Sequence, residues 1–343
     1  MAVLLTKNIE RVSSDILSAA GVPIAQADII ASSIVDAHRK EKHTHGLGRL
    51  PIYIRKIKSG QMESETRLEI VRSKGCITVF DAHNGFGQIA AHEGMLHCID
   101  KASNLGVGIA VVKDSNSFGA AGFYGETAAS HFMIGIVMGN SSPALSPHGG
   151  NKACLGTNPI CFAFPGTDKN PHIIFDMACS VAARGKVRLA AKNGERIPIE
   201  WGLDSDGNPT DDPLEVLSGS MNASGGYKGF GLAAAAEILA GILSGSAFAD
   251  DVLPLNAPKG YSRYGHFLCA IDPEFFLERN DYMERIDCLI NKIKACGDPG
   301  CVFLPGERSH ANSIKNIRTV NVSDAVIADV NRLAASLSIE QLC

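Results

Sequence analysis

The placement of glycine constrains this chain more than any other feature of it. Of 343 residues, 35 are glycine, against roughly 24 at an average usage of about 7%. They follow no three-residue period, which excludes a collagen-like rod. Many gather in four stretches, at 46–48, 119–125, 149–156 and 225–231. Small residues let a loop backbone lie close to a bound molecule, and glycine takes positive φ at no steric cost. Loops of this kind need a rigid scaffold beneath them.

The rest of the composition supplies that scaffold. With 45% hydrophobic and 20% charged residues, the chain can bury a sizeable core, which excludes a disordered protein. At roughly 150 residues per domain, its length predicts about two. The net charge of −4 makes no electrostatic case for nucleic acid or an acidic membrane. No apolar run approaches the roughly 20 residues of a membrane span, and the longest candidate, Leu232 to Leu243, contains Glu237. The ten cysteines are scattered singly with no secretory pattern ahead of them. They read as small core residues of a reducing compartment, the cytoplasm.

Periodicity orders the elements. Ile9, Val12, Ile16 and Leu17 fall at helical spacing before Gly21, and Ile30, Ile34 and Ala37 mark a second helix. Pro51 opens a short third one that Gly60 closes. Strand-like runs follow at Cys76–Asp81, Val107–Val112, Ile134–Met138, Ile160–Phe164 and Ile173–Asp176, with a helix over Ile89–Ser103 between the first two. Later come a small-residue helix from Leu232 to Leu243, a strand at His266–Ile271, and a helix carrying Met283, Ile286, Ile290 and Ile293. Ser323 caps a final helix. The expected division is a helical, substrate-side domain from 1–75 plus 232–343 and an α/β cofactor-binding domain over 76–231.

Several local patterns suggest chemistry without supporting it. Gly85-Phe86-Gly87-Gln88-Ile89-Ala90 matches the dinucleotide turn G-x-G-x-x-A between a strand and a helix. Asp114 stands where a ribose acid could sit, although its spacing is long. A tight strand–helix turn explains the same residues. His92 and His97 are five apart, so they do not share a helix face as paired zinc ligands would. Asp204-Ser205-Asp206-Gly207 begins like a calcium loop but lacks the glutamate at the twelfth position. Cys296 and Cys301 lack zinc-knuckle spacing, and no nucleophile elbow or Walker lysine loop occurs. No metal site is expected.

Four segments carry more. They are Thr44-His45-Gly46-Leu47-Gly48-Arg49-Leu50-Pro51; Ser115-Asn116-Ser117-Phe118-Gly119-Ala120-Ala121-Gly122; the region from Asn140-Ser141-Ser142-Pro143 through Gly156-Thr157-Asn158-Pro159 to Phe175-Asp176-Met177-Ala178; and Gly226-Tyr227-Lys228-Gly229-Phe230-Gly231-Leu232. Together they closely resemble the type-2 malate/L-lactate dehydrogenase family, in family order, from about residue 5 to 310. Leu304-Pro305-Gly306-Glu307 fits as well. The resemblance implies an α/β, mixed-sheet, non-Rossmann fold like that of L-sulfolactate dehydrogenase, with helical N- and C-terminal parts. It implies an oxidoreductase using NAD or NADP on a small 2-oxo or 2-hydroxy carboxylate. It also implies a homodimer with active sites at the subunit interface. Gly85 to Ala90 then become a structural turn, and its glycines the least consequential ones.

Hydride transfer to a carbonyl or imine requires a positioned acid, and histidine suits that task near neutral pH. His45, in a glycine-flanked loop, is by analogy the proton donor in reduction and the acceptor in oxidation. Arg49 lies four residues on, where its planar fork could grip a carboxylate with two parallel hydrogen bonds. The resemblance makes Thr44 and Asp176 partners of His45, and a carboxylate there would raise the histidine pKa. Asp176 could equally hold cofactor with Met177 and Ala178. Ser117, Phe118, Gly119, Ala120 and Ala121 form the expected cofactor loop, joined by Lys228, Gly229, Gly306 and Glu307. Thr157 and Asn158 would shape the substrate or nicotinamide pocket.

One position departs from the family pattern. Many relatives carry histidine at Ser117, and serine cannot replace it as a base at neutral pH. That mildly favours a reductase of 2-oxo or cyclic 2-imino acids, with His45 carrying the proton. A ligand-binding protein without catalysis on the same scaffold is the competing class. Arg184, Lys186 and Arg188 could supply charge for NADP or could be solvated.

Overall fold

The apolar positions that repeat at helical spacing in the first 20 residues all turn inward in the computed structural model, which describes residues 1–342. Helix α1 (Thr6–Ala19) buries Ile9, Val12, Ile16 and Leu17 completely. Gly21, at φ +92°, ends its terminal turn. α2 (Ile24–Arg39) packs along it, and α3 (Leu50–Lys58) follows with Pro51 in its first turn, where a missing N–H costs nothing. The chain termini close this helical body. β1 (Ala2–Leu5) pairs antiparallel with β11 (Thr319–Val322), and α11 (Asp324–Ser336) starts at Ser323, whose hydroxyl accepts the Val326 N–H. One apolar cluster joins α1, α2, α3, β11 and α11.

The middle of the chain builds a seven-stranded mixed sheet. Its strands are β2 (Glu69–Lys74), β3 (Ile77–Asp81), β4 (Val107–Ser115), β5 (Ile134–Gly139), β6 (Ile160–Phe164), β7 (Ile173–Met177) and, after a short outlying pair β8 (Gly202–Leu203) and β9 (Ser220–Met221), β10 (Tyr264–Ile271). The order is β2-β3-β4-β10-β5-β6-β7. Only β3 and β4 run parallel, joined by the crossover helix α4 (Gly87–Leu105). One sheet face packs on α4 and on α5 (Ala121–Ser130). The other packs on α6 (Arg184–Asn193), α7 (Pro213–Ser218) and α8 (Tyr227–Ala236), which runs on as a π-helical turn over Glu237–Ile242. α9 (Arg279–Lys294) and α10 (Glu307–Lys315) lead back to the termini.

Two strands of the sheet come from the spans expected to be helical. β10, placed among the helical ends, is a central strand, paired over His266–Ile271 with β4 on one side and β5 on the other. Its run Tyr264–Ile271 is largely buried, as a strand covered on both faces must be. β2 likewise lies at the sheet edge, within the span assigned to the helical domain.

Candidate active site

A cleft of about 660 Å³ opens between the loop after α2 and the ends of the strands, within the roughly 300–1,000 Å³ of small-molecule and cofactor sites. His43–His45 and Leu47–Arg49 form two successive 3-10 turns hinged on Gly46. They bring Thr44, His45 and Arg49 onto the same wall. The Arg49 Nε donates to the Thr44 carbonyl at 2.7 Å, which locks the loop across its own hinge. Gly185, at the start of α6, abuts the loop from the other side: a Cβ there would lie 2.3 Å from Thr44 Cγ2.

His45 is half-buried, and neither ring nitrogen makes a hydrogen bond within the described residues. Its Nδ1 is enclosed without a partner. Burial, then the neighbouring Arg49 and Lys42 charges, push its pKa down to about 3 against the opposing pull of Asp176. The ring is therefore neutral across the physiological range. No hydrogen bond joins it to Thr44 or Asp176. Asp176 instead accepts from Lys42 Nζ and, at 3.0 Å, from the Gly122 amide at the start of α5.

Cations dominate the rest of the cleft. Arg184 and Arg188, one helical turn apart on α6, line it together with Arg49 and Lys186. Arg184 donates to the Pro143 carbonyl at 3.0 Å. Burial first, and guanidinium repulsion second, lower the pKa of both: Arg188 crowds Arg184, and Arg49 crowds Arg188. No carboxylate pairs with either among the described residues. This wall of the cleft therefore carries a concentration of positive charge.

The sheet ends supply the opposite wall. Ser117, Phe118, Gly119, Ala120 and Ala121 follow β4 and run into α5; Asp176, Met177 and Ala178 close β7; Thr157 lies between. Gly119 takes φ +82° with nothing within 4 Å of its Cβ position, so the loop presents bare backbone to the cleft. Backbone amides ahead of a helix N-terminus suit phosphate oxygens. The extended cleft, this loop and the nearby cations fit a nicotinamide dinucleotide. A second cavity of about 150 Å³ shares the Lys42–Asp176 wall and reaches Gly306, His172 and His310.

Three residues named for the cofactor stand apart. Lys228 is exposed at the start of α8, with Gly229 buried behind it, and neither lines the cleft. Glu307 turns back to accept the Leu304 amide at 2.9 Å and pairs with Lys294. The dinucleotide-turn pattern is also resolved. Asp114 pairs with Arg263 at 2.7 Å, away from the cleft. Gly87 lies under the Ser117–Ala121 loop, where a Cβ would be 2.1 Å from the Asn116 carbonyl oxygen. Its role is close packing, and the loop depends on it. His97 bonds Thr78, and Asp204 accepts the Asp206 and Asn208 amides in an ordinary turn. No group of three or more potential metal ligands occurs among the described residues.

Sequence reasoning overlooked other residues of the site. Lys42, His43, Tyr264 and His266 all line it. Behind it lies Glu237, a buried carboxylate with no cation beside it. It accepts from Asn140 Nδ2 at 3.1 Å, Asn158 Nδ2 at 2.6 Å and the Ala249 amide at 3.0 Å. It thus ties the π-helical turn to both loops that carry Ser141 and Thr157. Its position within an apolar helix was the available signal.

Residues 5–331 match the family described as malate/L-lactate dehydrogenase. The malate/(S)-sulfolactate dehydrogenase of Methanothermus fervidus is 37% identical over 326 residues, 95% of each chain. Delta(1)-pyrroline-2-carboxylate reductase 1 of Burkholderia ambifaria is 34% identical over 276 residues, 80% of this chain and 81% of its own. Among solved structures, the sulfolactate dehydrogenase of Methanocaldococcus jannaschii superposes with a TM-score of 0.92 at 34% identity, covering 99% of this chain and 98% of its own.

Proposed function

The chain belongs to the malate/L-lactate dehydrogenase family, and from that premise we propose that this NAD(P)-dependent oxidoreductase interconverts a small dianionic 2-hydroxy acid and its 2-oxo form. The observation that carries the reading is the convergence of Arg49, Arg184 and Arg188 on the cleft that holds His45. One guanidinium suffices for a 2-oxo carboxylate. Two more on α6, neither paired with a carboxylate among the described residues, suit a second acid group on the substrate, a carboxylate or sulfonate.

Bound nicotinamide supplies or takes up the hydride. The chain's own residues do the rest. The Arg49 fork aligns the 2-carboxylate, and the α6 arginines fix the distal acid, so the reactive carbon has one orientation. In oxidation, neutral His45 accepts the hydroxyl proton. In reduction it must carry that proton to the carbonyl oxygen. A dianion entering the cleft offsets the Arg49 and Lys42 charges and raises the His45 pKa toward that task.

The reductase of cyclic 2-imino acids is the second reading, favoured by Ser117 and by the pyrroline-2-carboxylate reductase relative. A monoanionic ring leaves the α6 arginines without a partner, which ranks it below the first. A panel of malate, sulfolactate, lactate and piperideine-2-carboxylate with their oxidised or reduced counterparts, followed by nicotinamide absorbance, tests both. Turnover confined to the cyclic imine would replace the first reading. Cofactor binding without turnover across the panel would leave a ligand-binding protein.

A homodimer accords with the apolar face of α8 and its π-helical extension, where Leu232, Ile238, Ile242 and Leu243 are exposed. On that face Lys228 would serve a partner's cleft rather than its own. No helix among the described residues is long and apolar enough to cross a membrane. Nine described cysteines are unpaired, which supports a reducing compartment, the cytoplasm.

A further inference from the structure

His38 and His43 carry no role in the reaction above, yet their geometry fixes where each holds its proton. His38 is buried in the last turn of α2. The Leu47 amide donates to its Nε2 at 3.0 Å. Gly46 makes that approach possible, since a Cβ there would sit 2.3 Å from Nε2. An amide can only donate, so Nε2 is the bare nitrogen, and a neutral His38 carries its hydrogen on Nδ1. Burial and the adjacent His43 push the His38 pKa down to about 4, so the ring is neutral at pH 7.

The His38 Nδ1 lies 3.3 Å from His43 Nδ1. Only one hydrogen fits between them, and His38 supplies it. His43 must then accept at Nδ1 and keep its own hydrogen on Nε2. His43 is exposed and lines the cleft, and its Nε2 has no hydrogen-bond partner among the described residues. The chain from the Leu47 amide through both rings therefore ends in an N–H donor on the cleft wall, two residues from His45.

We propose that His43, set in its Nε2–H form by His38, is a ligand-binding residue that donates to an anionic oxygen in the cleft, either a cofactor phosphate or the substrate's acid group. The proposal rests on the cleft being the ligand site. Its tautomer arm does not depend on which substrate is turned over.

The test uses the full-length protein labelled with ¹⁵N-histidine. Long-range proton–nitrogen correlation at pH 7.5 should show His38 in the Nδ1–H form, the minor one for free histidine, and His43 in the Nε2–H form. Saturation with NADH, NADPH or oxaloacetate should move the His43 Nε2 resonance. His43→Phe should weaken one ligand about tenfold or more, the loss expected for a charge-assisted hydrogen bond. Weaker NAD(P)H binding by fluorescence identifies the phosphate; a raised KM for the acid at unchanged cofactor affinity identifies the substrate. His38→Asn keeps an acceptor for the Leu47 amide, frees the His43 tautomer and should give a smaller loss of the same kind. A His38 ring protonated on Nε2 at pH 7.5 overturns the proposal, as does a His43→Phe protein with both affinities unchanged. Should the variants misfold, the wild-type tautomers and their response to ligand still decide it. If the substrate panel shows no turnover, the first arm remains and only the reading of the reaction falls.

Discussion

Lys42 donates to Asp176 across the seam between the helical ends and the sheet, and the pair forms the wall shared by the cleft and the second cavity. Asp176 is also the group that draws the His45 pKa upward while Arg49 and Lys42 press it down. Asp176→Asn removes the upward pull and frees Lys42, so the His45 pKa falls further. In the proposed reaction, reduction uses protonated His45 and should drop at neutral pH about tenfold for each pKa unit lost. Oxidation, which needs the neutral ring, should lose less. Profiles of kcat/KM against pH in both directions measure this; equal losses with no displacement along the pH axis would assign Asp176 to structure or cofactor instead.

Arg188→Leu and Arg184→Leu should each raise KM for a dianionic substrate by roughly ten- to a hundredfold, since a charge-assisted hydrogen bond is worth about 1.5–3 kcal/mol. KM for a monocarboxylate such as pyruvate should stay within a factor of about two. Steady-state assays with the paired substrates separate the two classes. A uniform loss on both would contradict a distal acid site.

Gly87→Ala puts a methyl group 2.1 Å from the Asn116 carbonyl oxygen. Backbone must move, at about 1–3 kcal/mol for such overpacking, and the loop that moves carries Ser117 to Ala121. A lowered urea midpoint accompanied by weaker NADH binding is expected. Gly231→Ala is the control: nothing lies within 4 Å of its Cβ position and its φ is ordinary, so a helical alanine should stabilise by about 0.5–1 kcal/mol.

Acid should destabilise the fold before carboxylates titrate. Burial lowers the pKa of His38 to about 4 and of His266 to about 3, both from 6.5. Between those values the unfolded chain binds protons that the native one refuses, so stability falls as pH drops below about 6.5 and rises on the return. Urea midpoints at half-unit pH steps should decline from pH 6.5 to 4, and His266→Gln should flatten the slope. A flat wild-type profile would refute the neutral buried rings.

His45 and Arg49 were legible because their loop is local: residue type, glycine hinges and a four-residue spacing lie within one short segment. Arg184 and Arg188 were visible as cations, but nothing in the sequence places α6 opposite residue 49, since the approach is made by tertiary packing. α5 read as loop because Gly122 and Gly125 lower helix propensity. Gly125 is there for contact, its Cβ position being 2.7 Å from Cys161 Sγ. β2 is exposed along its length and shows no buried alternation. Gly87 was dismissed with the failed dinucleotide motif, yet its close packing supports the Ser117–Ala121 loop.

The central place of β10 has a consequence for how the protein is made. β4 and β5 leave the ribosome as open strand edges, and the strand that joins them is translated more than a hundred residues later. At about 5–20 residues per second, the nascent sheet stays split for on the order of ten seconds. Through that interval the bare edges of Val107–Ser115 and Ile134–Gly139 can recruit wrong partners. Slow maturation is the expected consequence of this strand order, and a chain truncated before Tyr264 should aggregate rather than fold into a smaller enzyme.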